Sequence, residues 1–394
     1  MHRDVAAPPS DPAREPAAGW APRPAPARFV AALAQERAVL APMAGYTDAP
    51  FRRLARAFGA AWAVTEMVSA RSLALGDARG LAISAPHEGE TDVVVQVFAA
   101  DPDEAAAAVA RLHAAFAPAA FDLNMGCPVK KVLHRGCGAE LIRDPQRAAA
   151  IVRAIGAAVP VPVTAKTRLG LDRVEAHEVA HAVVEAGAAI LAVHGRTAAQ
   201  RYAGSADWAA IAELAAALPV PVLGSGDVTD ARGMARARAA GVGAMIARGA
   251  LGRPWVFRTV RGGPPPTRSE VVGVAWRHAR DHVAWYGGEH ALPRLRGQLA
   301  AYAVAALGAD AGSEPIDPRR GRDATGLRDA LMRASRLAEV GAALREATGI
   351  EPEREDLDPL PGASPCPPAW TGWQGRRPRR SSTAERRWLA PTID

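Results

Sequence analysis

Short apolar runs recur at regular distances along the chain between residues 38 and 249. Eight of these runs are seven or eight residues long and rich in Val, Ile, Leu and Ala. That length and composition predict buried β-strands. The runs are AVLAPMAG (38–45), WAVTEMV (62–68), DVVVQVF (92–98), AFDLNMG (120–126), VPVTAKT (161–167), AILAVHG (189–195), VPVLGSG (220–226) and GAMIARG (243–249).

The segments between these runs are mostly Ala-rich and repeat their apolar residues with the period of a helix. Examples are DEAAAAVARLHAAF, DPQRAAAIVRAIGAAV and HEVAHAVVEAGA. A strand followed by a helix, repeated eight times, is typical of a (β/α)₈ TIM barrel. We therefore predict an α/β protein with this barrel as its catalytic unit.

Polar or reactive side chains stand where most of the predicted strands end. In a barrel these ends meet at one mouth, where active sites lie. Any one of these residues alone is readily explained as a loop or core hydrogen-bonding group, but polar ends on seven of eight strands indicate a functional site. The strand-end residues are Met43, Glu66, Gln96, Asn124, Lys166, His194, Ser225 and Arg248.

The alternation stops after the eighth strand, and the pattern becomes helical. We predict a barrel over residues 28–262, a small all-helical domain over 263–350 with a polar loop at 308–325, and two tails. Residues 1–27 and 351–394 are rich in Ala, Pro and Arg without a period, which predicts disorder. The second tail is basic.

The composition of the chain limits the classes of protein to which it can belong. The chain has 394 residues, of which 49% are apolar, enough for a substantial core. It contains neither an apolar run long enough to span a membrane nor the apolar core of a signal peptide, which predicts a cytoplasmic protein. Three cysteines without zinc-type spacing predict free thiols and no metal site. The net charge of +7 favours an anionic partner, although an Arg-rich chain can be basic without one.

Two glycine-containing turns follow the seventh and eighth strands, GSGD (224–227) and ARGALGRPW (247–255). Loops at these places in barrels often bind phosphate through backbone N–H groups, and Arg248 would add a charged contact. Lys166 and His194 face the same space, and a cation there suits the anionic ring of a reduced flavin. Since no Rossmann fingerprint is present, flavin mononucleotide (FMN) fits better than a dinucleotide.

Cys127 lies in the loop after the fourth strand, within NMGCPVKKV. Most free cysteines are small buried core residues, but this position would place the thiol over the barrel mouth. A thiol with an ordinary pKa near 8.5 is largely protonated at neutral pH, so it can act as a general acid or as a nucleophile. Lys130, Lys131, Arg135 and Arg168 would form a basic rim suited to a polyanion.

Several motifs of the chain resemble, in order and spacing, those of the tRNA-dihydrouridine synthases, most closely the bacterial B-type. They are LAPMAGYTDAPFRRL, EMVSA, VQVF, FDLNMGCPVKKV, KTRLG, HGRTAAQRYAGSADW and MIARGALGRPWVF, within residues 36–260. The resemblance implies an FMN barrel with a helical tRNA-binding domain. It also implies an oxidoreductase acting on CH–CH bonds, which reduces uridine in tRNA to 5,6-dihydrouridine with NADPH or NADH and needs no protein partner.

The resemblance also implies roles for single residues. Cys127 would give the proton to uracil C5 after hydride transfer from flavin N5 to C6. Asn124, Lys166 and Arg168 would surround the uracil. The implied flavin contacts are Pro42, Met43, Ala44, Gln96, Lys166, His194, Ser225, Gly226, Asp227, Ala247 and Arg248.

The chain departs from the family pattern at two places. Ser225 stands where the family usually has Asn, which predicts either weaker flavin binding or a water in place of the amide. The stretch EHALPRLRGQLAAYAVA lacks the expected Arg-Lys-His cluster of the RNA-binding helix, which puts the mode of tRNA binding in question. Two alternatives stay open: an FMN barrel enzyme acting on a small pyrimidine such as dihydroorotate, and a catalytically silent RNA-binding barrel.

Overall fold

The structure, a computed structural model, describes residues 21–308 and 321–352, the latter with side chains from residue 326 onwards. Eight parallel strands form a closed barrel, which confirms the predicted (β/α)₈ fold. The strands are β1 (Val39–Leu40), β2 (Ala63–Val64), β3 (Val93–Phe98), β4 (Ala120–Met125), β5 (Val163–Arg168), β6 (Ala188–His194), β7 (Val222–Ser225) and β8 (Gly243–Ile246).

The barrel closes at β1, which pairs with β2 through Leu40 and Ala63 and with β8 through Val39 and Met245. β1 and β2 have two residues each and β7 and β8 have four, so these strands are shorter than the predicted runs. After β1, Pro42 offers no N–H to a ladder, and after β7 the chain turns at Gly226 with φ +133°. A further two-residue strand, Val68–Ser69, pairs with β3.

Successive side chains along each strand face opposite sides of the sheet, and this alternation separates two apolar layers. Val94, Ala192 and Leu223 belong to a cluster inside the barrel. Their strand neighbours Val95 and Val193 belong to the layer between strands and helices. Because successive strand residues face opposite sides, the polar residues two places further along β3, β6 and β7 also face inward. These residues are Gln96, His194 and Ser225.

Helices cover the outside of the barrel and then form a separate cluster. Asp48, Asp101, Asp144, Asp207 and Asp230 each cap the helix that follows with a carboxylate oxygen. The barrel helices are α1 (Ala27–Ala34), α2 (Ala49–Ala57), α3 (Ala70–Ala74), α4 (Arg79–Ser84), α5 (Pro102–Phe116), α6 (Lys130–Leu133), α7 (Pro145–Ala158), α8 (His177–Glu185), α9 (Trp208–Ala216), α10 (Ala231–Ala239) and α11 (Val256–Thr259). Short 3₁₀ helices lie at Gly138–Arg143, Arg248–Ala250 and Glu289–Ala291.

The C-terminal helices are α12 (Arg268–Trp285), α13 (Leu292–Gly308), α14 (Gly321–Arg333) and α15 (Leu337–Thr348). The loop predicted at 308–325 is wrong over residues 321–325, where α14 has begun. Of the predicted tails, 1–27 and 351–394, residues 1–20 and 353–394 lie outside the described residues. The boundary predicted at 262/263 falls between α11 and α12. Among the helices of residues 21–308 and 321–352, none combines the length and the apolar content needed to cross a bilayer.

The helical region packs against the loop that follows β1. On α12, His282 Nδ1 lies 2.9 Å from Asp48 Oδ2, and Asp48 also caps α2. On α13, a Cβ added at Gly297 would lie 3.0 Å from the ring of Tyr46, so that ring packs directly on the backbone. Gln298 Oε1 accepts a hydrogen bond from Gly252 N at 2.8 Å. These contacts hold α12 and α13 against the barrel mouth.

Candidate active site

The inward-facing residues of four neighbouring strands lie side by side at the mouth. Asn124 of β4 is in register with Lys166 of β5. Arg168, two residues further along β5, is in register with His194 of β6, which is itself in register with Ser225 of β7. Asn124, Lys166, His194 and Ser225, four of the strand-end residues picked out from the sequence, are therefore neighbours across the sheet. Met43, Glu66 and Arg248 instead lie beyond the ends of β1, β2 and β8.

The Cys127 loop begins directly after β4 and is held by its own backbone. Cys127 N donates to Asn124 Oδ1 at 3.1 Å, and Cys127 O accepts from Ala139 N at 3.1 Å. Gly138 has φ +65°, and a Cβ there would lie 2.8 Å from Cys127 O. The loop therefore needs glycine at this position.

The two described cysteines differ in their surroundings. Cys127 is partly buried, and this burial raises the pKa of its thiol, which is therefore protonated at neutral pH. Cys137 is 5% exposed and its thiol donates to Arg135 O at 3.5 Å. Burial raises the pKa of Cys137 to about 11. Both thiols therefore carry a proton at neutral pH, and Cys127 is the one that lies near Lys166 and Arg168.

The charges around Cys127 are positive. Burial, with Arg168 nearby, lowers the pKa of Lys166 to about 8, so Lys166 is still mostly charged at pH 7. Burial also lowers the pKa of Arg168 to about 10. The pKa of His194 lies well below its usual value because of burial and the cations near it, so this imidazole is neutral. The mouth is thus suited to an anionic group.

Lysine is rare in this chain, and all of it is found near this site. Among 48 lysines and arginines only three are lysines: Lys130, Lys131 and Lys166. Lys130 and Lys131 are exposed on α6, just after the Cys127 loop, whereas Lys166 is partly buried inside the mouth. Arginine elsewhere supplies the positive charge. Of the three, only Lys166 places its compact ammonium group inside the mouth.

Arg168 differs from the exposed cations of the predicted rim. It is 3% exposed, and its guanidinium donates to the backbone oxygens of Gly126 (2.7 Å), Thr197 (3.0 Å) and Arg201 (2.8 Å). It therefore ties the Cys127 loop to the loop after β6. Lys130, Lys131 and Arg135 are exposed, as a rim requires.

The exposed ring of Tyr202 lies between two cations. The Arg168 and Arg248 guanidinium carbons lie 5.6 Å and 4.5 Å from the ring centroid. Tyr202 is 46% exposed, and its ring centroid is 6.2 Å from that of His194. The ring thus extends the mouth outwards and provides a flat surface between two positive charges.

The turn after β7 is built around an ion pair between a buried arginine and a half-buried carboxylate. Arg196 is 2% exposed, and its Nη2 lies 2.8 Å and 2.9 Å from the carboxylate oxygens of Asp227. Asp227 also accepts from Ala206 N at 2.8 Å. Burial opposes ionisation of Asp227, but the hydrogen bonds from Ala206 N and Arg196, together with the arginine charge, keep its pKa low. Arg248 Nη2 is 3.9 Å from the same carboxylate and is more exposed.

The loop after β1, which contains Pro42, Met43 and Ala44, is tied at two points. Thr47 Oγ1 accepts from Met43 N at 3.0 Å. Glu66 Oε2 accepts from Gly45 N at 2.6 Å. Burial raises the pKa of Glu66 to about 7, although the bond from Gly45 opposes the shift.

Comparison with known proteins assigns the family. The family model described as dihydrouridine synthase (Dus) matches residues 39–311. The chain belongs to the dihydrouridine synthase family. It is 37% identical to a "Probable tRNA-dihydrouridine synthase" of Rhizobium leguminosarum bv. phaseoli over 73% of this chain and 92% of that protein. It is 39% identical to the "tRNA-dihydrouridine synthase B" of Xanthomonas campestris over 64% of this chain and 84% of that protein.

Solved structures give a weaker likeness. FabK from Thermotoga maritima covers 57% of this chain, and 62% of its own chain, with 14% identity and a TM-score of 0.34. The dihydrouridine synthase family therefore rests on the sequence matches, and the barrel rests on the strand pairing described above.

Three residues of this dihydrouridine synthase site were not picked out from the sequence. Arg196 and Tyr202 both lie within HGRTAAQRYAGSADW, but nothing in the spacing distinguishes a buried arginine from the many exposed ones. Asp122 did leave a signal, because an acidic residue inside the apolar run AFDLNMG requires a polar partner.

Proposed function

We propose that this protein reduces uridine in tRNA to 5,6-dihydrouridine with a bound FMN and NADPH, or NADH, as reductant. The observation that carries the proposal is the protonated thiol of Cys127 at the mouth, beside Lys166 and Arg168. Membership of the dihydrouridine synthase family supports the reaction. The thiol supports the role of proton donor, which in general acid catalysis accelerates a step by roughly 10²–10⁴.

The residues at the mouth fit a flavin with one phosphate. Lys166 and Arg248 supply positive charge to an anionic ring and to a phosphate, and neutral His194 can donate or accept a hydrogen bond. The turns after β7 and β8 pack together, since a Cβ at Gly249 would lie 2.5 Å from Val228 O. Pro42, Met43, Ala44, Gln96, Ser225, Gly226, Asp227 and Ala247 complete the proposed flavin contacts.

The chemistry that flavin supplies when bound is hydride delivery to uracil C6, after its own reduction by the nicotinamide. Cys127 then donates a proton to C5, which removes the charge that develops at C5 and O4. Lys166 stabilises negative charge at the mouth electrostatically. Asn124 Nδ2 gives one N–H to Gln96 and keeps a second for the uracil edge, while Arg168 holds the loop that carries the thiol.

The tRNA would bring its target base out of the stack and into the mouth, at a cost of a few kcal/mol. Lys130, Lys131 and Arg135 are placed to contact its phosphates, and Tyr202 offers a stacking surface. The helical region, placed against the mouth by α12 and α13, would carry the rest of the tRNA contact. No protein partner is needed for these steps.

The experiment that tests the proposal compares dihydrouridine in tRNA from cells with and without this gene. Loss of dihydrouridine at defined positions, restored by the wild-type gene and not by Cys127→Ala, is the expected result. Purified protein should be yellow and should release FMN on denaturation. Unchanged dihydrouridine in the deletion strain, or a protein that cannot be loaded with FMN, would overturn the proposal.

A further inference from the structure

A buried carboxylate lies inside the barrel below the proposed active site. Asp122 stands in the middle of β4 and is 4% exposed. It lines an interior cavity of about 10 Å³ together with Thr164 and apolar residues. Its Oδ1 accepts from Thr164 Oγ1 at 2.6 Å and its Oδ2 from Gln96 Nε2 at 2.7 Å. None of the steps assigned to Cys127, Lys166 or Arg168 uses this group.

A chain of hydrogen bonds connects the Cys127 loop to Asp122, and each donor in the chain points towards Asp122. Because an ionised carboxylate can only accept, the Nε2 of Gln96 must face it. The Oε1 of Gln96 then accepts from Asn124 Nδ2 at 2.8 Å. Asn124 Oδ1 is left to accept from Gly126 N at 3.3 Å and Cys127 N at 3.1 Å.

The direction of this chain is set at both ends, by Asp122 at one end and by the N–H groups of Gly126 and Cys127 at the other. If the Gln96 amide were turned round, its Oε1 would face the Asp122 carboxylate, and two acceptors would meet. If the Asn124 amide were turned round, its Nδ2 would face Cys127 N, and two donors would meet. We propose that Asp122 is a positioning residue, whose carboxylate orients the amides of Gln96 and Asn124 and thereby holds the backbone of Cys127. Burial raises the pKa of Asp122, whereas the hydrogen bonds from Thr164 and Gln96 and the charge of Lys166 favour its ionised form.

The inference deepens the proposed function, since it concerns the loop that carries the proposed proton donor. It is tested first without tRNA, by the rate at which iodoacetamide alkylates Cys127 in the full-length protein as purified. Mass spectrometry of the cysteine-containing peptides separates Cys127 from Cys137. This readout stays informative even if Cys127 turns out not to be the proton donor.

Asp122→Leu removes the acceptor and keeps the branching at Cγ. Loss of one oriented hydrogen bond should loosen the loop, expose the thiol, and raise the alkylation rate of Cys127 about fivefold, with Cys137 unchanged. Asp122→Asn should leave the alkylation rate of Cys127 within about twofold of wild type, because its amide oxygen accepts from Gln96 and its nitrogen donates to Thr164. Thr164→Val, which removes a bond outside the chain, should likewise stay near wild type.

The second readout separates positioning from stability. In the Leu variant, reoxidation of the flavin by tRNA should slow at least fivefold, and by a larger factor than reduction by NADPH, which Asp122 can affect only through Gln96. If the Leu variant does not fold, Asp122→Val, which suits a strand and is smaller, replaces it. A folded Leu or Val variant with unchanged Cys127 alkylation would overturn the proposal, as would an Asn variant that behaves like Leu. Equal acceleration at Cys137 would show general loosening and would also overturn it.

Discussion

Arg196 and Asp227 form an ion pair directly behind the turn that follows β7, with Arg196 Nη2 2.8 Å and 2.9 Å from the two carboxylate oxygens. The arginine is almost fully buried, whereas the carboxylate side chain is 34% exposed. Asp227 also has φ +55°, a conformation that Asn and Asp adopt more readily than most residues. The ion pair therefore anchors the proposed phosphate-binding turn at Asp227, a residue type that tolerates the backbone conformation found there.

Asp227→Asn should destabilise the protein by about 1–3 kcal/mol, because it keeps the backbone conformation and leaves Arg196 without its counter-charge. We also expect weaker FMN binding, since the turn loses its anchor to Arg196. Thermal unfolding and FMN fluorescence titration measure the two effects. Asp172→Asn, an exposed change of the same charge, is the control and should alter neither. Equal behaviour of the two variants would contradict the structural role of the pair.

Cys127→Ala should separate the two half-reactions. The strands that hold the proposed flavin contacts are untouched, so NADPH should bleach the yellow protein at a near-normal rate. Reoxidation by tRNA lacking dihydrouridine should slow at least ~10²-fold, as expected for loss of a general acid. Stopped-flow absorbance follows both steps.

Cys137→Ala provides the matched control for the thiol. Its side chain is buried and donates to a backbone oxygen, away from the mouth, so most activity should remain. A dead Cys137 variant beside an active Cys127 variant would reverse the proposed assignment of the proton donor.

Lys166 should destabilise the flavin-free protein at neutral pH. Its folded pKa of about 8 lies below the ordinary value of 10.5, so the charged form is disfavoured by folding. The penalty is fully present below pH 8 and disappears between pH 8 and 10.5, where the unfolded chain binds more protons and stability rises with pH. Lys166→Met should therefore raise the Tm of flavin-free protein at pH 7 by about 2–4 °C, discounted for partial exposure.

The advantage of Lys166→Met should shrink between pH 8 and pH 10, and the same variant should bind FMN more weakly. Differential scanning calorimetry across this range measures the first effect. Lys130→Met, exposed and of the same composition, is the control and should show neither. A Tm gain that is the same at every pH would mean that packing, rather than charge, is responsible.

Ser225→Asn restores the residue usual in the family. Ser225 is 4% exposed and lies next to His194 across the sheet, so an added amide would be held inside the mouth. We expect FMN to bind equally well or more tightly, as measured by fluorescence quenching. A clear loss of affinity would show that this turn is built differently around its shorter side chain.

Much of the barrel was predictable, because the period of two along β4 and β5 places Asn124, Lys166 and Arg168 on the inner face before any contact is known. The lengths of the strands were harder to predict, because Pro42 and Gly226 end the β-ladder pairing within an apolar run. The break between α14 and α15 could not be predicted, because Ala334, Ser335 and Arg336 continue a helical pattern without Gly or Pro.

Tertiary partners explain why other features were not predictable. Arg196 reads as an ordinary surface arginine until Asp227, 31 residues away, is placed against it. Asp122 could be recognised as unusual, but its direction-setting contact with Gln96 depends on the register of two strands. The packing of Tyr46 on Gly297 joins residues far apart in sequence, and no local pattern announces it.

The loop after β1 contributes both to the proposed flavin site and to the attachment of the helical region. Met43 and Ala44 are proposed flavin contacts, and a few residues on, Tyr46 and Asp48 hold α13 and α12. Anything that orders this loop therefore contributes to both attachments, and by thermodynamic reciprocity each attachment strengthens the other by the same factor. We therefore expect flavin binding and the docking of the helical region on the barrel to be coupled through this loop.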